Sequence, residues 1–409
     1  MITTYRRVLG LPGALVFSLS GLLARLPISM VSLGIVLLVS TRTGSYTRAG
    51  AVSASFLIAN AVLAVFQARL IDRMGQSRVL PFSIGVFATG LVLMMTVVER
   101  GVPAPWPYVF AAVSGAAMPQ IGSCVRARWS ALVPDRALLQ TAFAFEAVVD
   151  ETVFVVGPTL VTLLATTVHP LAGLSAAVVA GVSGTAVLVS QRRTEPVPGG
   201  PVRHATSPMP WRVLAPLTVS AFTMGVLFGG AEVATVAFCD EAGHKALSGV
   251  LLATWSLGSL LSGAAMGAMS LSASNATRYR WGLLCLGLLL VPLPFVTGFP
   301  MLATVLFLAG FAISPTLIAS VAWIEEVVPA DRLTEGMTIV TTGLAAGVAP
   351  GAALVGVVVD AYGASASYWV AAGAGLLGAA VAFGTTPLTS RAAPVRAAGD
   401  RPSPSGSSS

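Results

Sequence analysis

The stretch AVSASFLIANAVLAVFQARLIDRMGQSR, residues 51–78, joins a long apolar run to a turn dense in charge. The run is long enough to cross about 30 Å of hydrocarbon as a helix. The turn gathers Arg69, Asp72, Arg73 and Arg78 around Gly75. Arginine resists translocation, so such a turn marks the cytoplasmic end of a span.

The same alternation runs through the chain. Hydrophobic residues make up 55% of its 409 positions, charged residues only 10%, and the mean hydropathy is +0.85, which excludes an ordinary soluble domain. Twelve apolar runs are expected to span, at 11–40, 47–71, 79–98, 104–127, 136–166, 170–190, 213–239, 246–272, 281–298, 301–324, 333–359 and 365–386. With the N-terminus inside, the outer turns receive only Arg42, Arg48, Arg100 and Lys245, and Arg25 lies within span one. All other basic residues fall inside, so both termini are expected to be cytoplasmic. The net charge of +7 is then a topology signal and gives no footprint for nucleic acid. Arg6 and Arg7 precede a first span too long for a signal sequence. Twenty-two arginines against one lysine suggest a GC-rich bacterium, hence its cytoplasmic (inner) membrane.

The segment SQRRTEPVPGGPVRHATSPMPWR, residues 190–212, divides the chain six plus six. Residues 1–190 form the first expected half, 191–212 a cytoplasmic linker and 213–388 the second half. Residues 389–409 have the composition of a disordered tail. Laying Gly50 on Gly249 brings the opening stretch over VLLATWSLGSLLSGAAMGAM (250–269) without a gap, and SALVPDRALL echoes IEEVVPADRL. The expected fold is therefore an all-α membrane protein of twelve transmembrane helices in two pseudo-symmetric six-helix bundles. Repeats of this kind hold substrate between the halves near mid-membrane.

Within span five, TAFAFEAVVDETVFVVGP (141–158) places Glu146, Asp150 and Glu151 in apolar surroundings. Glu146 and Asp150 share a face, and Glu151 is turned by about 100°. Arg25, in GLLARLPISM, lies at similar depth in span one. Ionisable groups in a membrane need a partner or an aqueous cavity. Arg25 requires at least one of these acids as counter-ion, and one arginine against three acids leaves an excess available for proton exchange. Two readings stay open: proton coupling, or a structural ion pair.

The turn ARLIDRMGQSR (68–78) resembles the signature G-x-x-x-D-R-x-G-R of the major facilitator superfamily. Asp72, Arg73 and Gly75 match, Ala68 and Gln76 depart, and Arg78 stands nearby. The resemblance implies a gating loop in which Asp72 meets the start of span eleven, near 331–336, when the protein opens outward. It also sets spans one and five side by side. Gly157 and Pro158 are similar to the end of a fifth-helix motif of proton-coupled drug exporters, although Ala144, Val153 and Val161 stand where that motif has glycine. A plain helix bend is the alternative. Such exporters also carry a basic residue mid-way along helix four, which AAVSGAAMPQIGS (111–123) lacks.

The family places spans one, four, seven and ten around the cavity, making Ser20, Met118, Gln120, Phe228, Glu232 and Trp323 candidate lining residues. The expectation is a twelve-helix exporter of an amphipathic small molecule or drug, driven by protons through alternating access. In its cycle, protonation of a helix-five acid from outside loosens Arg25. A proton symporter or uniporter importing a metabolite is one alternative, and a non-transporting sensor or partner protein another. His169, His204 and His244 lie in expected loops and no nucleotide-binding signature occurs, so no enzyme, cofactor or metal site is expected. The expected partners are substrate, protons and the lipid bilayer, with the chain acting as a monomer.

Overall fold

In hydrocarbon, backbone N–H and C=O groups find no water, so an isolated segment crosses only as a helix that satisfies them internally. The computed structural model describes residues 9–197, 208–266, 273–329 and 332–384. Every described membrane-length element in it is a helix. The first half comprises α1 (Ala14–Thr43), α2 (Tyr46–Met74), α3 (Gln76–Glu99), a broken α4a (Trp106–Ala116) and α4b (Ile121–Leu132), α5 (Arg136–Thr167) and α6 (Ala172–Ser190). The second comprises α7 (Trp211–Glu241), α8 (Leu247–Met266), α9 (Asn275–Leu290), α10 (Phe299–Val327), α11 (Leu333–Tyr362) and α12 (Ala364–Gly384).

Joining α4a to α4b, eleven helical segments among the described residues are long and apolar enough to cross a membrane. The ninth expected span, 281–298, is realised as the 16-residue α9 followed by a 3-10 turn, Leu293–Phe295. Pro292 and Pro294 explain its early stop, since proline cannot donate to a helix. The tail from 389 and the linker portion 198–207 lie outside the described residues. At the linker's start, Gln191–Glu195 is tied to the first half: Arg128 donates to Gln191 O at 2.9 Å and Thr194 Oγ1 at 2.8 Å, and Ser77 N to Glu195 Oε1 at 2.8 Å.

The fourth span breaks at Ala117–Gln120, a departure from the single expected helix, because Pro119 interrupts the ladder. The freed backbone is satisfied from α2. Gln67 accepts from Gln120 N at 3.0 Å and donates to Ala117 O at 3.4 Å and Ser83 Oγ at 3.2 Å. After the break, α4b brings its own side chains to α1 and α5.

The halves meet along two helix pairs, α2 with α11 and α5 with α8. Glycines permit the approach. A Cβ on Gly50 would fall 2.6 Å from Ala352 O of α11. One end of the molecule carries the α2–α3 turn and the linker, here termed the linker face. The opposite end carries the α1–α2, α7–α8 and α11–α12 turns and is termed the distal face.

Candidate functional site

Spacing on α5 decides which acids work together. Glu146 and Asp150, one helical turn apart, both meet Arg25 of α1: Glu146 in a direct ion pair, Asp150 Oδ1 at 2.7 Å. Glu146 is fully buried and also accepts from Trp129 Nε1 at 2.8 Å and Ser18 Oγ at 3.1 Å. Asp150 is about one-third exposed, and its Oδ2 accepts from Arg126 Nη2 of α4b at 2.6 Å. Gly21, one turn before Arg25, leaves room for α4b, since a Cβ there would sit 2.7 Å from Val125 Cγ2. Phe17 packs edge-on against Trp129 with centroids 4.7 Å apart.

Two guanidiniums therefore face two carboxylates, and the network is balanced. The sequence reading assigned the countercharge to Arg25 alone and found helix four without a suitable base. Arg126 and Trp129 were the missed members. The signal for them was Pro119, whose break makes α4b a separate helix.

Glu151 takes the other direction. It is turned toward the opposite half, near the hydroxyls of Ser259 on α8 and Ser314 on α10. Those two hydroxyls bond each other at 2.8 Å. Across the same divide, Glu232 of α7 accepts from Ser32 Oγ of α1 at 3.1 Å, and Ser32 pairs with Ser53 of α2 at 3.0 Å. Among the described residues, neither Glu151 nor Glu232 has a cationic partner.

The remaining candidates separate. Phe228, one turn before Glu232, packs edge-on against Trp255 of α8 at 5.5 Å between centroids. Trp255, which the sequence did not single out, is buried with its Nε1 unpaired. Met118 and Gln120 sit at the α4 break, where Gln120 Nε2 donates to Met118 O at 3.3 Å. Ser20 donates to Phe17 O at 3.2 Å and accepts from Gln191 at 3.4 Å, within the first half. Trp323 lies against α9, its ring 5.9 Å from Tyr279 and 5.5 Å from the Arg280 guanidinium. Ser20 and Trp323 thus contact their own bundles, because each turns toward the peripheral helix on its flank.

In the loop after α2, Gly75 alone links two helices at φ 91°, a conformation that disfavours side chains. Asp72, Arg73 and Arg78 are exposed, and Asp72 makes no hydrogen bond or ion pair among the described residues. Positions 330–331, part of its expected partner segment, lie outside the described residues. Gln76, where the signature has arginine, is buried, accepts from Arg128 Nε at 2.8 Å and donates to Cys124 O at 3.0 Å. At the Gly157–Pro158 position, within the continuous α5, Gly157 packs on Ser29 of α1, which donates to Val153 O at 2.9 Å, and Thr159 reaches Gly249 O of α8 at 3.3 Å.

The Major Facilitator Superfamily family model matches residues 17–295 and 245–406. The chain belongs to the major facilitator superfamily. No curated protein matches this transporter in sequence. Similar solved structures include a peptide transporter POT in complex with sulfate, with TM-score 0.73, 12% identity and coverage of 94% of this chain and 96% of that one. A nucleoside transporter superposes with TM-score 0.69 at 14% identity, covering 91% and 99%. A bacterial metal transporter does so with TM-score 0.62 at 16% identity, covering 91% and 98%. At these identities the likeness establishes the fold, and the superfamily membership makes the protein a transporter and not an enzyme.

Proposed function

We propose that this transporter exchanges protons for an amphipathic molecule bearing a basic nitrogen and exports it by alternating access. On this reading the linker face lies in the cytoplasm of a bacterium. The observation that carries it is the divergence of Asp150 and Glu151. Asp150 is held by two guanidiniums inside one half, whereas Glu151 is turned toward the hydroxyls of Ser259 and Ser314 of the other half and forms no ion pair among the described residues. Burying a carboxylate without a countercharge costs free energy that a bound proton removes. A proton on Glu151 therefore alters a contact between the halves, as coupling requires, while the Arg25 network holds α1, α4b and α5 together.

The substrate class follows from the other unpaired acid. Glu232 offers a carboxylate to a basic nitrogen, and the adjoining Phe228 and Trp255 offer aromatic faces to an apolar body or a cation. Proton symport of a metabolite is the second reading, favoured by the peptide and nucleoside transporters among the similar structures.

The test is transport in proteoliposomes by Glu151→Gln. The expected result is loss of proton-driven flux with counterflow exchange of substrate retained. Wild-type proton-driven flux in Glu151→Gln would refute the assignment. Uptake driven in the same direction as the proton would replace export with symport.

A further inference from the structure

The α2–α11 pair carries a second latch, at the distal face, on residues the gating signature does not include. These helices run antiparallel, so the first turn of α2 stands beside the last turn of α11. There Asp360 of α11 accepts from the backbone N–H of Tyr46 at 2.9 Å and of Thr47 at 2.8 Å, and from Ser45 Oγ at 2.9 Å. The first N–H groups of a helix have no partner within it, and its positive end favours a carboxylate. An acid from one half thus caps a helix of the other.

Two further arms cross at the same face. Tyr46 Oη donates to Asp240 Oδ2 of α7 at 2.7 Å, and Lys245 joins that carboxylate at 3.0 Å while reaching Ser40 at 3.0 Å and Thr41 at 3.2 Å on α1. A pocket of about 530 Å³ borders them, lined by Ser40, Thr41, Thr166, His169, Asp240 and Lys245, so water has access to these arms.

We propose that Asp360 is the key residue of a distal gate that holds the halves shut at that end and must release before the transporter opens there. Asp72 lies in the last turn of α2 as Asp360 lies in the last turn of α11, so each of the two helices carries a carboxylate near its C-terminal end. In this structure the Asp360 end is engaged, whereas Asp72 is exposed and makes no hydrogen bond or ion pair among the described residues. The two ends alternate. This inference is independent of the proton-coupling reading.

The gate is tested by alkylation of Ser53→Cys, with Cys124, Cys239 and Cys285 replaced, in detergent, where a soluble maleimide reaches both faces. Ser53 is fully buried at the seam between the halves. Asp360→Asn and Asp360→Ala should accelerate labelling roughly tenfold, the shift expected from losing hydrogen bonds to a charged group. Tyr46→Phe, which keeps the cap and removes one arm, should accelerate it by about threefold. Asp72→Asn should not accelerate it. Labelling of Asp360 variants at the parental rate in monodisperse protein would overturn the proposal, as would equal acceleration by Asp72→Asn. If neither Asp360 variant folds, an unchanged rate in Tyr46→Phe overturns it.

Discussion

Within the first half, Glu146 and Asp150 are gripped by guanidiniums, with a tryptophan N–H and a hydroxyl completing the set. Between the halves, Glu232 meets a serine hydroxyl, Asp360 caps a helix and Asp240 meets the Tyr46 hydroxyl, while the ammonium partner of Asp240, Lys245, lies in its own half. The difference follows from what each contact must survive. A bond inside a rigid half persists as the halves rock, so it can be strong and costly to break. A contact across the seam is made and lost in every cycle, so partners that water can replace suit it better.

Substitutions should therefore separate into those that unfold and those that shift conformation. The largest stability loss belongs to Arg25→Ala, which strands Glu146 in apolar surroundings. It should cost about 3–5 kcal/mol, read as a fall in the detergent unfolding midpoint, and an unchanged midpoint would erase the distinction. Gln67→Leu leaves Gln120 N–H and Ala117 O without their partner and should cost about 1–3 kcal/mol by the same measurement. Gly157→Ala forces α5 away from Ser29, with a loss of about 1–3 kcal/mol that Ser29→Gly should partly relieve. Arg126→Ala, at a partly exposed pair, should cost at most about 1 kcal/mol. A change of about 1 kcal/mol is expected for Asp360→Asn, small beside the roughly tenfold shift in its labelling rate. A midpoint drop there comparable to that of Arg25→Ala would place the latch among the structural contacts.

Much of this was legible before any coordinates. Hydrophobic run lengths gave the spans, and the lone intramembrane arginine pointed to the α5 acids because a buried guanidinium stays charged. Helical spacing separated Glu151 from Glu146 and Asp150. The partners were less visible. Arg126 reads as a residue near a helix end, and only the Pro119 break and the approach of α4b bring it to Asp150. Asp360 reads as an ordinary acid at the end of a span, because its partners are backbone groups some 314 residues away.

The sequence alone determined that this chain crosses a membrane in two related halves, because the cost of desolvating a backbone and translocating arginine is a local property of composition and length. The tertiary structure decided the charge balance of the α5 network, the direction taken by Glu151 and the engagement of Asp360. Those depend on which helix ends and faces are packed together, and in a bundle held by apolar surface and small residues the one-dimensional pattern does not specify that choice.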